Sequence, residues 1–382
     1  MTKEEKKHQP LKILVTGGGT GGHLFPAIAL MEELKSRSAQ IGNIEFLFVG
    51  TERGLESSVL DNLHYPLRKI WIRGFQRGFS IKSILINLLF PIRLLISLIQ
   101  SLVIIKQFKP DIAIGTGGYT SGPPMRIASM MRIPVFIHEQ NVIPGVTTRM
   151  LAKHASRIYS SFEDTKQYIE NAICLGTPLR RSLESVSRKQ AIQFFELRQN
   201  LKTVFILGGS QGSRALNNYW INHLGSYINK SRCQFIWQTG QSDYEHIKNL
   251  FADNPCVHIT PFIHEMGISY SAADIIISRA GALSLAELCL YGKPSILIPL
   301  PTAAGNHQEI NARIMEKEGA SIMILQKNLS SELLDISLSS LIDSEEKLTE
   351  MAERAKAIAK PDSAKLIVDD ILRTMEEYVR KN

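Results

Sequence analysis

KILVTGGGTGGH, residues Lys12–His23, reads as a strand, a glycine turn and the first turn of a helix. The apolar run Ile13-Leu14-Val15 ends in Thr16, glycines crowd Gly17 to Gly22, and Pro26 to Leu34 has helical character. Strand, glycine turn and helix make the first unit of a Rossmann-like domain. Glycines let the backbone approach a ligand, and the free N–H groups of a helix start attract anions. His23 sets this copy apart. The positive end of a helix dipole disfavours a second proton on an imidazole placed there, so this histidine suits a general base. A dinucleotide site would need an acid at the end of the second strand, about 20 residues on. That strand reads as Ile44 to Val49; Glu52 comes late and is followed by Arg53, so an NAD enzyme is disfavoured.

A chain of 382 residues has room for two domains, and 44% apolar with 21% charged residues is a globular balance. The start MTKEEKKHQP carries no apolar signal region, so export is not expected. Four cysteines are scattered without a CxxC pair, which suggests reduced, buried thiols. No His/Cys/Asp cluster has metal-ligand spacing, and no Ser/His/Asp triad is evident.

Two α/β halves alternate strands and helices. Lys12–Thr16, Ile44–Val49, Asp111–Gly115, Pro134–His138, Arg157–Ser160 and Ala172–Gly176 read as strands of the first. Lys202–Leu207, Gln234–Thr239, Cys256–Thr260, Asp274–Ser278, Pro294–Pro299 and Ser321–Leu325 read as strands of the second. Helices between strands imply right-handed βαβ units and parallel sheets. The boundary is expected near Gly176-Thr177-Pro178. The tail from Asp362 to Arg380 is a helix, with Ala364, Ile367, Ile371, Met375 and Tyr378 at helical spacing and Asp362 or Ser363 as its cap.

The net charge is +8, and it is localised. Between Asn62 and Pro110 stand Arg68, Lys69, Arg73, Arg77, Lys82, Arg93, Lys106 and Lys109 and no acid, eight charges that equal the whole excess. Trp71, Phe75 and Phe79 are interleaved with Arg73, Arg77 and Lys82. Such interleaving suits an anionic lipid surface; RNA or a solvated loop over an ordinary core are the other readings. Ile84 to Ile105 is long and apolar enough to span a membrane but holds Asn87, Pro91 and Arg93. Pro91 more naturally opens a helix with Arg93, Ser97, Gln100 and Ser101 on one face, opposite an apolar face that is part core and part membrane-facing.

A second glycine turn, Gly208 to Ser213, offers N–H groups and the Ser210 hydroxyl, and a diphosphate is its natural guest. In Ser278–Glu287 a third strand end meets a helix start. Glu287 could accept both hydroxyls of a ribose, although taken alone an exposed helix glutamate is the plainer reading. Asn306-His307-Gln308 follows another strand, where amides could read sugar hydroxyls or merely cap a loop. Gly117–Gly122 and His138–Asn141 bring polar groups to the same rim as His23.

Taken in order, GGGTGGH, GTGGYTSGP, HEQNVIPG, LGGSQGSRALN, SRAGALSLAE and NHQEINA resemble the MurG family over Leu11 to Asp370. The resemblance implies two Rossmann-like domains in a glycosyltransferase-B fold. An acceptor and membrane-associating domain over residues 1–178, with the last helix (362–382) returning to it, would be paired with a UDP-GlcNAc domain over 179–361. It implies an inverting transfer of GlcNAc from UDP-GlcNAc to the 4-hydroxyl of MurNAc in lipid I, giving lipid II for peptidoglycan, with no cofactor and no metal. Thr20, Gly21 and Gly22 would approach the donor, and His23, or failing it Glu139, would be the base. Asn141 and Arg180 would reach the donor, Ser210 its diphosphate and the Ile263 backbone its uracil. Ala282, Leu283, Ser284, Leu285, Ala286 and Glu287 would hold phosphate and ribose, and Gln308 the GlcNAc hydroxyls. Tyr119 and His138 would stand on the acceptor side. The implied place is the cytoplasmic face of the plasma (inner) membrane, bound peripherally, with lipid I, anionic lipid and cell-wall synthesis proteins as partners and no nucleic acid. Thr148, Thr177 and Gly305 depart from the family's usual Asn, Asn and Asp. Another glycolipid synthase or an epimerase of the same fold, and a non-enzymatic nucleotide-sugar sensor, are the rival readings.

Overall fold

The computed structural model describes residues 10–52, 56–74, 87–183, 185–229, 232–251, 254–329 and 331–381. The chain divides into two units, Met1–Arg180 with Asp362–Asn382, and Arg181–Pro361.

The first unit holds a parallel sheet of β1 (Leu11–Thr16), β2 (Ile44–Gly50), β3 (Leu67–Lys69), β4 (Ile112–Gly115), β5 (Val135–Glu139), β6 (Arg157–Ser160) and β7 (Ile173–Cys174). Their order is β3-β2-β1-β4-β5-β6-β7. β1 pairs with β2 from Leu11 opposite Ile44 and with β4 from Ile13 opposite Ile112. Ile13, Val15, Phe48, Ile114 and Phe136 are buried with Leu24, Ile28 and Met31 of the helix Gly21–Ser36. These continuous apolar runs are what a strand covered on both faces requires. β3 carries no such signal: Leu67-Arg68-Lys69 is short and largely exposed, and its place at the sheet edge demands little apolar surface. The helix Ser363–Lys381 completes this unit. Its Ile367, Val368 and Ile371 enter the same core, and Asp370 accepts the Tyr159 hydroxyl at 2.9 Å.

The second unit repeats the plan with β8 (Lys202–Leu207), β9 (Cys233–Gln238), β10 (Val257–Thr260), β11 (Ile275–Ser278), β12 (Ser295–Leu297) and β13 (Ile322–Met323), ordered β10-β9-β8-β11-β12-β13. In each unit the first strand lies inside the sheet and later strands run off to both sides. The reversal falls between β1 and β4, and between β8 and β11, and ligands of open α/β sheets sit beyond the strand ends at such points.

The helix Phe90–Phe108 is long and apolar enough to cross a membrane by length and composition. Its inward residues are Ser97, Ser101 and Ile105, and both serines donate back to their own helix, to Leu94 O and Ser97 O. Its outward residues include Ile92, Leu95, Ile99 and Val103, with Leu95 60% exposed. Gln100 accepts the Trp71 N–H, and Arg93 lies over the Trp71 ring. Of the basic–aromatic stretch, Phe75, Arg77, Phe79 and Lys82 lie outside the described residues.

Candidate active site

In the first unit Thr16 and Gly115 end adjacent strands, and the helix Gly21–Ser36 starts beside them. Thr20 is its N-cap, in extended backbone and without a side-chain cap bond, so the first N–H groups stay uncapped. His23 is held by the turn after β4. Its Nδ1 lies 3.0 Å from Thr116 O and 3.1 Å from Gln140 Oε1, and Gln140 Nε2 donates to Thr116 O at 2.6 Å. A backbone carbonyl only accepts, so Nδ1 carries the proton. The lone pair of the neutral ring is therefore at Nε2, which has no partner among the described residues. Thr116 Oγ1 also donates to His23 O at 2.7 Å, tying the helix start to β4. A peptide carbonyl that fixes tautomer and ring direction is what a general base needs.

Glu139 is 2% exposed and saturated. Oε1 accepts from the backbone and side-chain nitrogens of Asn141, at 3.1 and 3.3 Å. Oε2 accepts from Gly145 N at 3.0 Å and from Thr148 Oγ1 at 2.6 Å. This carboxylate organises the 139–148 loop through its four donors. Thr148 is buried and spends its hydroxyl here, and Thr177 pairs with Ser161 Oγ at 2.6 Å.

His138 is fully buried and donates from Nε2 to Gly176 O at 2.8 Å, so the structure places it inside the unit rather than on a ligand-facing surface. Burial pushes its pKa down to about 4, outweighing the Gly176 bond and the Glu139 charge. The unfolded chain takes up this proton below about 6.5 and the folded chain only near 4, so the histidine makes stability fall as pH falls through that window. Denaturant melts of His138→Gln between pH 6.5 and 4 should show a shallower loss than the parent; equal slopes would contradict it. Tyr119 is half-buried, its phenol pushed upward by burial and then by the Glu56 charge. Arg180 stacks on Phe25, 3.9 Å from the ring centre.

In the second unit the turn after β8 is held by Gln238, which donates to Gly209 O at 2.8 Å and accepts the Ile263 N–H at 2.9 Å. Ser210 is exposed. Gly212 packs so closely that a Cβ there would lie 2.0 Å from Thr239 O. The helix Ala282–Tyr291 starts at Gly281 with no side-chain cap, and its first intrahelical bond is Leu285 N to Gly281 O. The N–H groups of Ala282, Leu283 and Ser284 are left at an open helix start. Ala282 and Leu285 bury their side chains, while Leu283, Ser284 and Ala286 are partly exposed. Glu287 is 5% exposed rather than a solvated helix residue, and its Oε2 accepts the Tyr270 hydroxyl at 2.7 Å. Gln308 Oε1 accepts Leu300 N at 2.9 Å, and its Nε2 has no partner among the described residues.

Sequence reasoning gave Arg279 no role. Its guanidinium is buried and donates to Ile298 O, Pro299 O, Ser213 Oγ and Gln326 Oε1, all uncharged, and burial pushes its pKa down to about 10. Among the described residues no carboxylate neutralises this cation at the root of the second glycine turn. Its signal was in the sequence: Arg279 directly follows a buried strand, where a charge needs a reason.

Two parallel α/β units, each with uncapped helix starts at its strand ends, make a two-Rossmann architecture of the glycosyltransferase-B type. Residues 13–160 match the glycosyltransferase family 28 N-terminal domain and residues 203–367 its C-terminal domain, and the chain belongs to this family, in its MurG branch. It is 40% identical over 373 residues to the UDP-N-acetylglucosamine–N-acetylmuramyl-(pentapeptide) pyrophosphoryl-undecaprenol N-acetylglucosamine transferase of Christiangramia forsetii, covering 97% of this chain and 99% of the relative. It is 37% identical over 377 residues to the enzyme of the same name from Finegoldia magna, covering 96% and 99%. The crystal structure of Acinetobacter baumannii MurG superposes with a TM-score of 0.72 at 28% identity, covering 95% of this chain and all of that one.

Proposed function

We infer that the protein transfers GlcNAc from UDP-GlcNAc to lipid I, producing lipid II. The observation that carries the chemistry is His23, with Nδ1 committed to a peptide carbonyl and the Nε2 lone pair unpartnered. In this reading Nε2 removes the proton of the MurNAc 4-hydroxyl as that oxygen attacks the anomeric carbon. The C–O bond to UDP breaks from the opposite face, and a β-linkage results. Glu139 shapes the acceptor loop through its four donors, and Tyr119 and His138 support the same half from within. The charge that develops on UDP is met by helix N–H groups and Ser210, with the buried Arg279 behind them. Glu287 holds the ribose hydroxyls, the Ile263 carbonyl the uracil, and Gln308 Nε2 the sugar; Asn141, Arg180 and Thr20 to Gly22 complete the donor's surroundings. Turnover of UDP-GlcNAc with lipid I tests the reading. Calorimetry that shows NAD binding and no UDP-sugar binding would sink it.

The lipid acceptor calls for a membrane surface, and the outward apolar face of Phe90–Phe108 beside Trp71 and Arg73 supports a peripheral one. Each basic group near an anionic leaflet contributes about 1 kcal/mol and is screened by salt. Co-sedimentation with anionic vesicles should fall as salt rises, fall again when Arg73, Arg77 and Lys82 are replaced, and be lost in Leu95→Glu/Ile99→Glu. Release only by detergent at every salt concentration would mean a true span.

A further inference from the structure

Glu56, first residue of the helix Glu56–Asn62, is completely buried against the first glycine turn. Its Oε1 accepts the Gly19 N–H at 3.0 Å, and a Cβ at Gly18 would lie 1.9 Å from the same oxygen. Its Oε2 is buried with no hydrogen-bond partner among the described residues. The carboxylate thus stands where a phosphate oxygen stands in a glycine-rich anion cradle. The second turn differs: a Cβ on Gly209 would meet nothing within 4 Å.

We propose that Glu56 is a positioning residue of the transfer reaction, an internal anion that fills the first glycine turn, keeps a ligand anion out of it and fixes the turn that presents His23. The turn runs from Gly19 to Thr20, whose carbonyl accepts the His23 and Leu24 N–H groups. A turn emptied of its carboxylate would let the helix start, and the imidazole on it, shift. The diphosphate of the donor is then left to the second unit. The inference rests on reading the first unit as the acceptor half.

The test is steady-state kinetics on the full chain, with melting curves to show that each variant folds. Glu56→Ala should lower kcat on the order of 10²-fold, as sub-ångström to ångström misplacement of a catalytic group does, with the KM for UDP-GlcNAc unchanged. Added formate should restore part of that rate, and should restore none to His23→Ala. Glu56→Gln keeps the shape and one oxygen acceptor but removes the charge. It should lose a smaller part of kcat and become more sensitive to inhibition by inorganic pyrophosphate, since the turn no longer repels an anion. Should the alanine variant fail to fold, the glutamine variant decides alone. Unchanged kcat and pyrophosphate inhibition in Glu56→Gln would overturn the proposal, as would kcat and donor KM moving together without a formate response. If His23→Ala keeps its kcat, the base reading falls while the formate and pyrophosphate results still judge Glu56.

Discussion

His23→Ala is expected to lower kcat by ~10²–10⁴-fold, the usual loss when a general base is removed, while the affinity for UDP-GlcNAc stays near that of the parent. The split follows from the geometry. The imidazole is bonded through Nδ1 to Thr116 O, and in the proposed reading the donor's ribose, uracil and diphosphate are held by residues of the second unit. Single-turnover rates with lipid I and calorimetry with UDP-GlcNAc separate the two quantities. A variant that binds the donor poorly yet turns over at the parental rate would make His23 a donor-positioning residue. Glu139→Gln would then be the next measurement, and its reading would need care. Glu139 accepts four hydrogen bonds, and an amide can accept only at its oxygen, so two of the present donors would face an NH2 group.

Glu287→Ala should weaken UDP-GlcNAc binding by ~2–3 kcal/mol, the range for hydrogen bonds to a charged group, or roughly 30–150-fold in Kd. The carboxylate is almost wholly buried and steered by the Tyr270 hydroxyl, so its direction is set before the ligand arrives. Tyr270→Phe should therefore cost less than the alanine variant, because the charge remains and only its aim is loosened. Titration calorimetry of both variants checks the order. Equal affinity of Glu287→Ala and the parent would remove Glu287 from the ribose.

The strands and glycine turns were legible because they obey local rules. Buried parallel strands are runs of Ile, Val, Leu and Phe, and the turns are glycines at strand ends. The two faces of Phe90–Phe108 were legible too, since the spacing of Arg93, Ser97, Gln100 and Ser101 places them together; that Ser97 and Ser101 turn inward was not. What escaped was set by partners far along the chain. Leu67–Lys69 is a strand only because β2 offers it an edge. Glu56 lies 37 residues from the turn it fills, and nothing in its neighbours marks it as buried. Glu139 and His138 looked like ligand-facing groups because polar residues beyond a strand usually are. In the structure Glu139 is bonded by Asn141, Gly145 and Thr148 of the following loop, and His138 is bonded to the distant Gly176 O. Arg279 was visible inside its motif, but that its partners among the described residues are all uncharged is a property of three dimensions.

The return of Ser363–Lys381 to the first unit has a consequence for biosynthesis. Residues 181–361 are contiguous, so the second unit has all its strands as soon as they leave the ribosome. The first unit emerges earlier but cannot complete its core then, because Ile367, Val368 and Ile371 follow the whole second unit along the chain. Until residues 363–381 have been made, Leu24, Ile28 and Met31 lack their cover, and the first unit is finished after the second.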